Sequence, residues 1–200
     1  IKEIKDITIR INDGARDGYE CRKIGLPENS WFVCLHVRES GFHDDAGRRG
    51  ERNSNILNYI PTINEITSRG GWVVRLGDNT MKPLPSMENV IDYPFTKHKS
   101  DFMDLCLIQN CKFSIVSQCG IHDLANLLCE NVLVVNMYTW IESWPLRIQG
   151  RGIFKRVYSK KDESYLTIKE LLSKDWDTKF MDPSYGILDE ENYVITENSA

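Results

Sequence analysis

What this chain lacks narrows its chemistry first. No apolar run approaches the roughly 20 residues that a membrane-spanning helix needs, and no signal-peptide pattern stands at the start. The six cysteines (Cys21, Cys34, Cys106, Cys111, Cys119 and Cys129) include no C-x-x-C pair, so the spacing of a zinc knuckle or a thioredoxin-like site is missing. Cys34, Cys106 and Cys129 sit in apolar patterns, and free buried thiols in a reducing compartment are expected. Basic excess is missing too: a formal charge of −4 and a pI near 5.6 argue against a nucleic-acid binder. The P-loop pattern, the dinucleotide fingerprint G-x-G-x-x-G and the hydrolase elbow G-x-S-x-G are all absent. There is no internal repeat and no low-complexity segment.

What is present suits one domain of ordinary size: 200 residues, 41% of them hydrophobic. The chain begins at Ile1 rather than Met, and a piece of something longer is expected. Residues 1–29 form a mixed lead-in, in which DGYECRKIGLP predicts a short helix stopped by Gly25 and Pro27. Over residues 30–140 the pattern sharpens. WFVCLHV (31–37) is a near-continuous apolar run, as a central strand covered on both faces requires. A helix is predicted over 58–69, a strand over 71–76, a third strand over 88–93 and a helix over 100–110. A strand over 112–117, a helix over 119–130 and a strand over 131–137 follow. Short strands alternating with helices of about ten residues predict an α/β domain, a parallel sheet with helices on both faces. Residues 141–200 read as an extension, with one further helix over 164–173 and an acidic tail from Asp175 expected to pack across the sheet.

In such a sheet, ligands bind beyond the carboxyl ends of the strands. The first strand delivers His36 and Arg38, then a long charged loop. The second delivers Arg75, Gly77 and Asp78, the last a candidate ion-pair partner for Arg75. The third delivers Asp92 and Tyr93, before Lys97-His98-Lys99 and a helix with Ser100 as N-cap and Asp101 in its first turn. The fourth delivers Ser117-Gln118-Cys119-Gly120, then Ile121 and His122 in a helical first turn. The fifth delivers Asn136. Two arginines, a lysine-rich turn and a small-residue loop at a helix N-terminus favour negative charge, and a diphosphate is the natural ligand. Arg38 would meet phosphate, with the loop beyond closing over the ligand. Each residue has a plainer reading: a surface arginine, a punctuating S-x-x-G turn, a structural His122. His43-Asp44-Asp45 is a weak metal candidate because adjacent loop residues diverge; no metal is expected.

The series WFVCLHVRESG, GGWVVRLGD, KSDFMDLCLIQNCKFSIVSQCGIHDLANLL and VLVVNM resembles a family of bacterial glycosyltransferases from surface-polysaccharide gene clusters, over about residues 31–140. More distantly, His36-x-Arg38 is similar to the motif of α1,6- and O-fucosyltransferases, in which the arginine contacts the phosphates of GDP-fucose. Here Glu39-Ser40 follows, where that pattern has a second Arg and an Asp. Ser117, Gly120, His122, Leu124 and Ala125 resemble the donor-site turn of heptosyltransferase-type enzymes. The resemblance implies a Rossmann-like half of a GT-B fold: the C-terminal, donor-binding domain, with the upstream acceptor-binding domain absent from this chain. It implies a metal-independent transfer, with no cofactor beyond a nucleotide-diphosphate sugar as co-substrate, a GDP-sugar among the candidates. The acceptor would be a glycan or lipid-linked, and the setting cytoplasmic, at the inner face of the membrane.

Arg38 first and Arg75 second would stabilise the leaving diphosphate. His36, Gly77, Asp78, Lys99, Ser100, Asp101, Ser117, Gly120, Ile121 and His122 would form the donor site. The acceptor's base is Glu39, Asp44 or a group on the absent domain. Two other readings stand beside this one. The first is a non-catalytic glycan- or protein-binding module derived from such a fold. The second is another phosphate-handling α/β enzyme, for which Cys119 is the candidate nucleophile.

Overall fold

The computed structural model describes residues 18–40, 52–137, 148–172 and 192–198. Its centre is β1 (Phe32–His36), buried at all five positions. Beside it lie β2 (Trp72–Arg75) and β4 (Phe113–Val116), both paired parallel to it. Outside these lie β3 (Val90–Asp92) and β5 (Val132–Met137). Among the described residues the sheet runs β3-β2-β1-β4-β5-β6, parallel throughout. This is an α/β, Rossmann-like architecture.

The alternation of β1 explains why both faces are covered. Val33 and Leu35, with Val37 beyond the strand, share one core with Ile63 and Ile66 of α2 (Ile60–Ser68). Phe32 and Cys34 point the other way, into a core with Leu107 of α3 (Asp101–Asn110) and Ala125 of α4 (Gly120–Leu128). A period of two along a strand makes this division unavoidable once both sets are apolar. The helix starts follow local chemistry. Pro61 fits the first turn of α2, where its missing N–H costs nothing. Ser100 caps α3, its side chain accepting from the Met103 amide at 3.2 Å. The expected short helix near the start is α1 (Tyr19–Arg22), with Cys21 buried.

After β5 the structure is more regular than the sequence pattern predicts. β6 (Arg151–Phe154) extends the parallel sheet beyond β5. β7 (Arg156–Ser159), β8 (Ser164–Tyr165) and β9 (Tyr193–Thr196) form a small antiparallel sheet ordered β8-β7-β9. The helix predicted over 164–173 is corrected accordingly. Its first two residues pair with β7, and α5 covers only Ile168–Leu172. A capping box restarts the chain there: Thr167 Oγ1 accepts from the Glu170 amide, and the Glu170 carboxylate accepts from the Thr167 amide. Of the tail, residues 192–198 are described. They pair with β7 through β9, and Asn198 then trades amide hydrogen bonds with Asn136 at the end of β5. Among the described residues, no helix is long and apolar enough to cross a membrane.

The strand order sets the site. α2 leaves β1 on one face and α4 leaves β4 on the other, so their loops part and open a crevice at the carboxyl edge between β1 and β4.

Candidate functional site

The crevice is built by residues that leave β1 and β4 together. The Arg38 amide donates to Ser117 Oγ at 2.7 Å, and the Ser117 amide donates to the His36 carbonyl at 3.1 Å. These bonds lock the two strand ends at one height. The Arg38 side chain is largely buried, and its guanidinium donates to Asn53 Oδ1. Asn53 is itself anchored, since the buried Lys155 ammonium donates to its carbonyl at 2.7 Å. Arg52 donates to the Gln118 carbonyl at 3.0 Å, tying the returning loop to the end of β4.

Facing these groups is the start of α4. Cys119 is its N-cap residue, in extended conformation and without a capping side-chain hydrogen bond. A Cβ built on Gly120 would meet no atom within 4 Å, so the space at the helix start is open. Gly120 is exposed, and the positive end of the helix dipole there favours negative charge, while the His122 amide turns back to the Cys119 carbonyl at 3.0 Å.

His36 sits at the junction. It is 5% exposed, and its Nδ1 lies 3.2 Å from Cys119 Sγ. Burial pushes its pKa down to about 4, helped by Arg75, Arg38 and Lys99 and opposed by Asp78. These four side chains, from three different strand ends, are thus near enough to act on one ring.

The β2–β3 side of the same edge is built differently. Arg75 is fully buried, bonded to the Lys82 carbonyl at 2.7 Å and to Asp92 at 3.0 Å, with Glu39 at 3.5 Å. Its ion-pair partners are Asp92 and Glu39 rather than Asp78, because parallel register sets Arg75 directly against Asp92. Glu39 also accepts from the Lys82 amide at 2.7 Å, so this candidate base is engaged as a structural acceptor. Gly77 holds φ +144°, and a Cβ there would stand 2.1 Å from Met81 Sδ; the turn demands glycine. Asp78 folds that turn, accepting from the Thr80 amide at 2.8 Å and from its hydroxyl. Lys99 pairs with Asp104 and lies 5.4 Å from the centre of the Tyr93 ring. Ser100 is the α3 cap, and Asp101 is exposed in the first turn.

The structure thus brings His36, Arg38, Ser117 and Gly120 together around one crevice. Ile121 is half-buried and packs on the core that α4 shares with α3. His122 is buried and engages both ring nitrogens within α4, with Asn126 at 2.8 Å and Asp123 at 3.2 Å. Burial pushes the Cys119 thiol up, the opposite of what a nucleophilic thiolate requires. Asp44, His43 and Asp45 lie outside the described residues, as does most of the charged loop. Asn53 and Lys155 are contributors that sequence reasoning missed, since neither belongs to a motif and both act through contacts across the fold.

No family model matches this chain, and no curated protein does. Among solved structures it is similar to the ADP-heptose LPS heptosyltransferase II of E. coli. The TM-score is 0.55 and the sequence identity 15%, over 74% of this chain and 45% of that one. The chain therefore spans less than half the length of that enzyme. At this identity the likeness establishes the fold.

Proposed function

We propose that this chain is the donor-binding half of a glycosyltransferase, seating the diphosphate of a nucleotide-sugar in the β1–β4 crevice. One observation carries the reading: α4 opens over Gly120 into free space, beside the buried Arg38 and His36. The likeness to a heptosyltransferase supports it at the level of fold. Arg38 would bind the diphosphate and, with the first amides of α4, stabilise the charge that builds on it as the bond to the sugar breaks. Losing one such contact typically costs ~10²–10³ in rate. Preorganised donors of this kind give electrostatic stabilisation without a metal. The acceptor, a glycan or a lipid-linked saccharide of surface-polysaccharide synthesis, would approach from an acceptor-binding domain upstream, at the inner face of the membrane.

Arg75 takes a different role from the one expected of it. Enclosed and bonded to two acids, it would set the field around His36 rather than touch phosphate.

The test is calorimetric titration with GDP, UDP, CDP and ADP, with and without magnesium, on the wild type and on Gly120→Asp. One nucleotide is expected to bind saturably. The new carboxylate should weaken it by about tenfold or more, as like charge meets like at the helix start. It should leave Tm unchanged or slightly raised, because the position is open and an acid at a helix start is favourable. Equal affinity in Gly120→Asp, or binding of none of the four, would overturn the proposal.

A second reading has its own observation. Glu39, the described candidate for the acceptor's base, is taken up by Arg75 and the Lys82 amide. That favours a module that binds the nucleotide-sugar or a glycan without activating an acceptor. Release of free nucleotide diphosphate from a nucleotide-sugar by a protein carrying both halves separates the two.

A further inference from the structure

The contact between His36 and Cys119 joins residues 83 positions apart, brought together by the pairing of β1 with β4. Two features decide which atom carries the proton. A thiol sulfur is a weak acceptor, whereas an unprotonated imidazole nitrogen is a strong one, so the pair is best satisfied with S–H donating to Nδ1. The amides of Ile121 and His122, in the first turn of α4, also act on the sulfur and favour negative charge there. The sulfur therefore turns its lone pairs to the helix and its proton to His36. With Nδ1 accepting, the ring proton sits on Nε2. No described residue takes Nε2, and it is not among the fully enclosed polar atoms lacking a partner. A nine-tenths-buried ring thus keeps one N–H, on the side of the ring away from Cys119.

We propose that Cys119 is a positioning residue that holds His36 as its Nε2–H tautomer, making the ring a hydrogen-bond donor to an acceptor oxygen of the bound ligand. The inference rests on the reading of the crevice as a diphosphate site and names the atom type that meets His36. The ring is neither a base nor a cation here. The groups facing it are Arg38 on its own strand, Arg75 and Asp78 from β2, Lys99 ahead of α3 and Cys119 at α4. The three cations oppose a further positive charge, and Asp78 favours it less strongly than burial and Arg75 oppose it. A neutral donor suits an anionic oxygen in a buried site, since it offers a proton without adding a charge to be desolvated.

The experiment is ¹⁵N NMR of the histidine rings in the full chain between pH 8 and 5, with inorganic pyrophosphate as probe, on wild type, Cys119→Ala and Cys119→Ser. The wild type should show His36 as the Nε2–H tautomer across this range. Cys119→Ala should mix the tautomers, raise the pH midpoint and weaken pyrophosphate by about tenfold, the usual worth of one hydrogen bond to a charged group. Cys119→Ser keeps an O–H donor and should restore the tautomer. A proton on Nδ1 in the wild type, or spectra unmoved by Cys119→Ala, overturns the proposal. The expected tautomers without pyrophosphate binding in any variant would overturn the diphosphate reading and leave the thiol lock standing.

Discussion

Two buried arginines leave adjacent strands at one edge of the sheet, and their surroundings differ in kind. Arg75, on the β2–β3 side, has its guanidinium bonded to Asp92 and Glu39, and a neighbouring lysine, Lys99, is paired with Asp104. Arg38, on the β1–β4 side, has its guanidinium on the amide of Asn53, and Arg52 donates to a backbone carbonyl. The second side adds the start of α4, where a Cβ on Gly120 would meet no atom within 4 Å. An arginine enclosed with two acids holds the fold together, since removing it leaves their charges covered without a partner. On the proposed reading, the same residue type at the same edge carries two jobs.

The comparison is broken most directly at Arg75. Arg75→Met should cost about 3 kcal/mol or more of folding stability in urea unfolding, because Glu39 and Asp92 lose their common partner while remaining mostly covered. A loss under 1 kcal/mol would put the two arginines in the same class. Acid comes next. His36 has its pKa lowered from 6.5 to about 4 in the fold, so between those values the unfolded chain binds the proton and the folded one does not. Stability is then full above about pH 6.5 and falls as the pH drops toward 4, by about 2 kcal/mol between pH 7 and 5. Replacing His36 with Gln should flatten that slope. The smallest effect on stability is expected at Arg38. Arg38→Gln should give up its bond to Asn53, worth about 1 kcal/mol, and remove nucleotide-diphosphate binding in the calorimeter. A large stability loss with binding retained would reverse the roles of the two arginines.

The legibility of the fold varied along the chain for a physical reason. From Trp31 to Met137 most strands are apolar runs and the helices carry local signals, such as Pro61 at the start of α2 and the Ser100 cap on α3, so the elements announce themselves locally. β6 does not: Arg151, Gly152 and Ile153 are exposed on an edge strand, and its formation depends on β5 beside it. β8 and β9 likewise exist through their pairing with β7. At the site, the convergence of His36, Arg38, Ser117 and Gly120 followed from the rule for parallel sheets. Asn53 was hidden because it reaches Arg38 across a loop, 15 residues on.

The order of strands and helices, their two-sided burial and the edge where charge gathers are properties of the sequence itself. They rest on short-range periodicity and on residue types that a single chain displays. Which acids meet which arginine, and which side chain reaches the His36 ring, were decided by tertiary structure. Register sets Arg75 opposite Asp92, and the crossover from β4 brings Cys119 to His36. Electrostatic roles depend on distances of a few ångströms between residues far apart in the chain, and only folding fixes those distances.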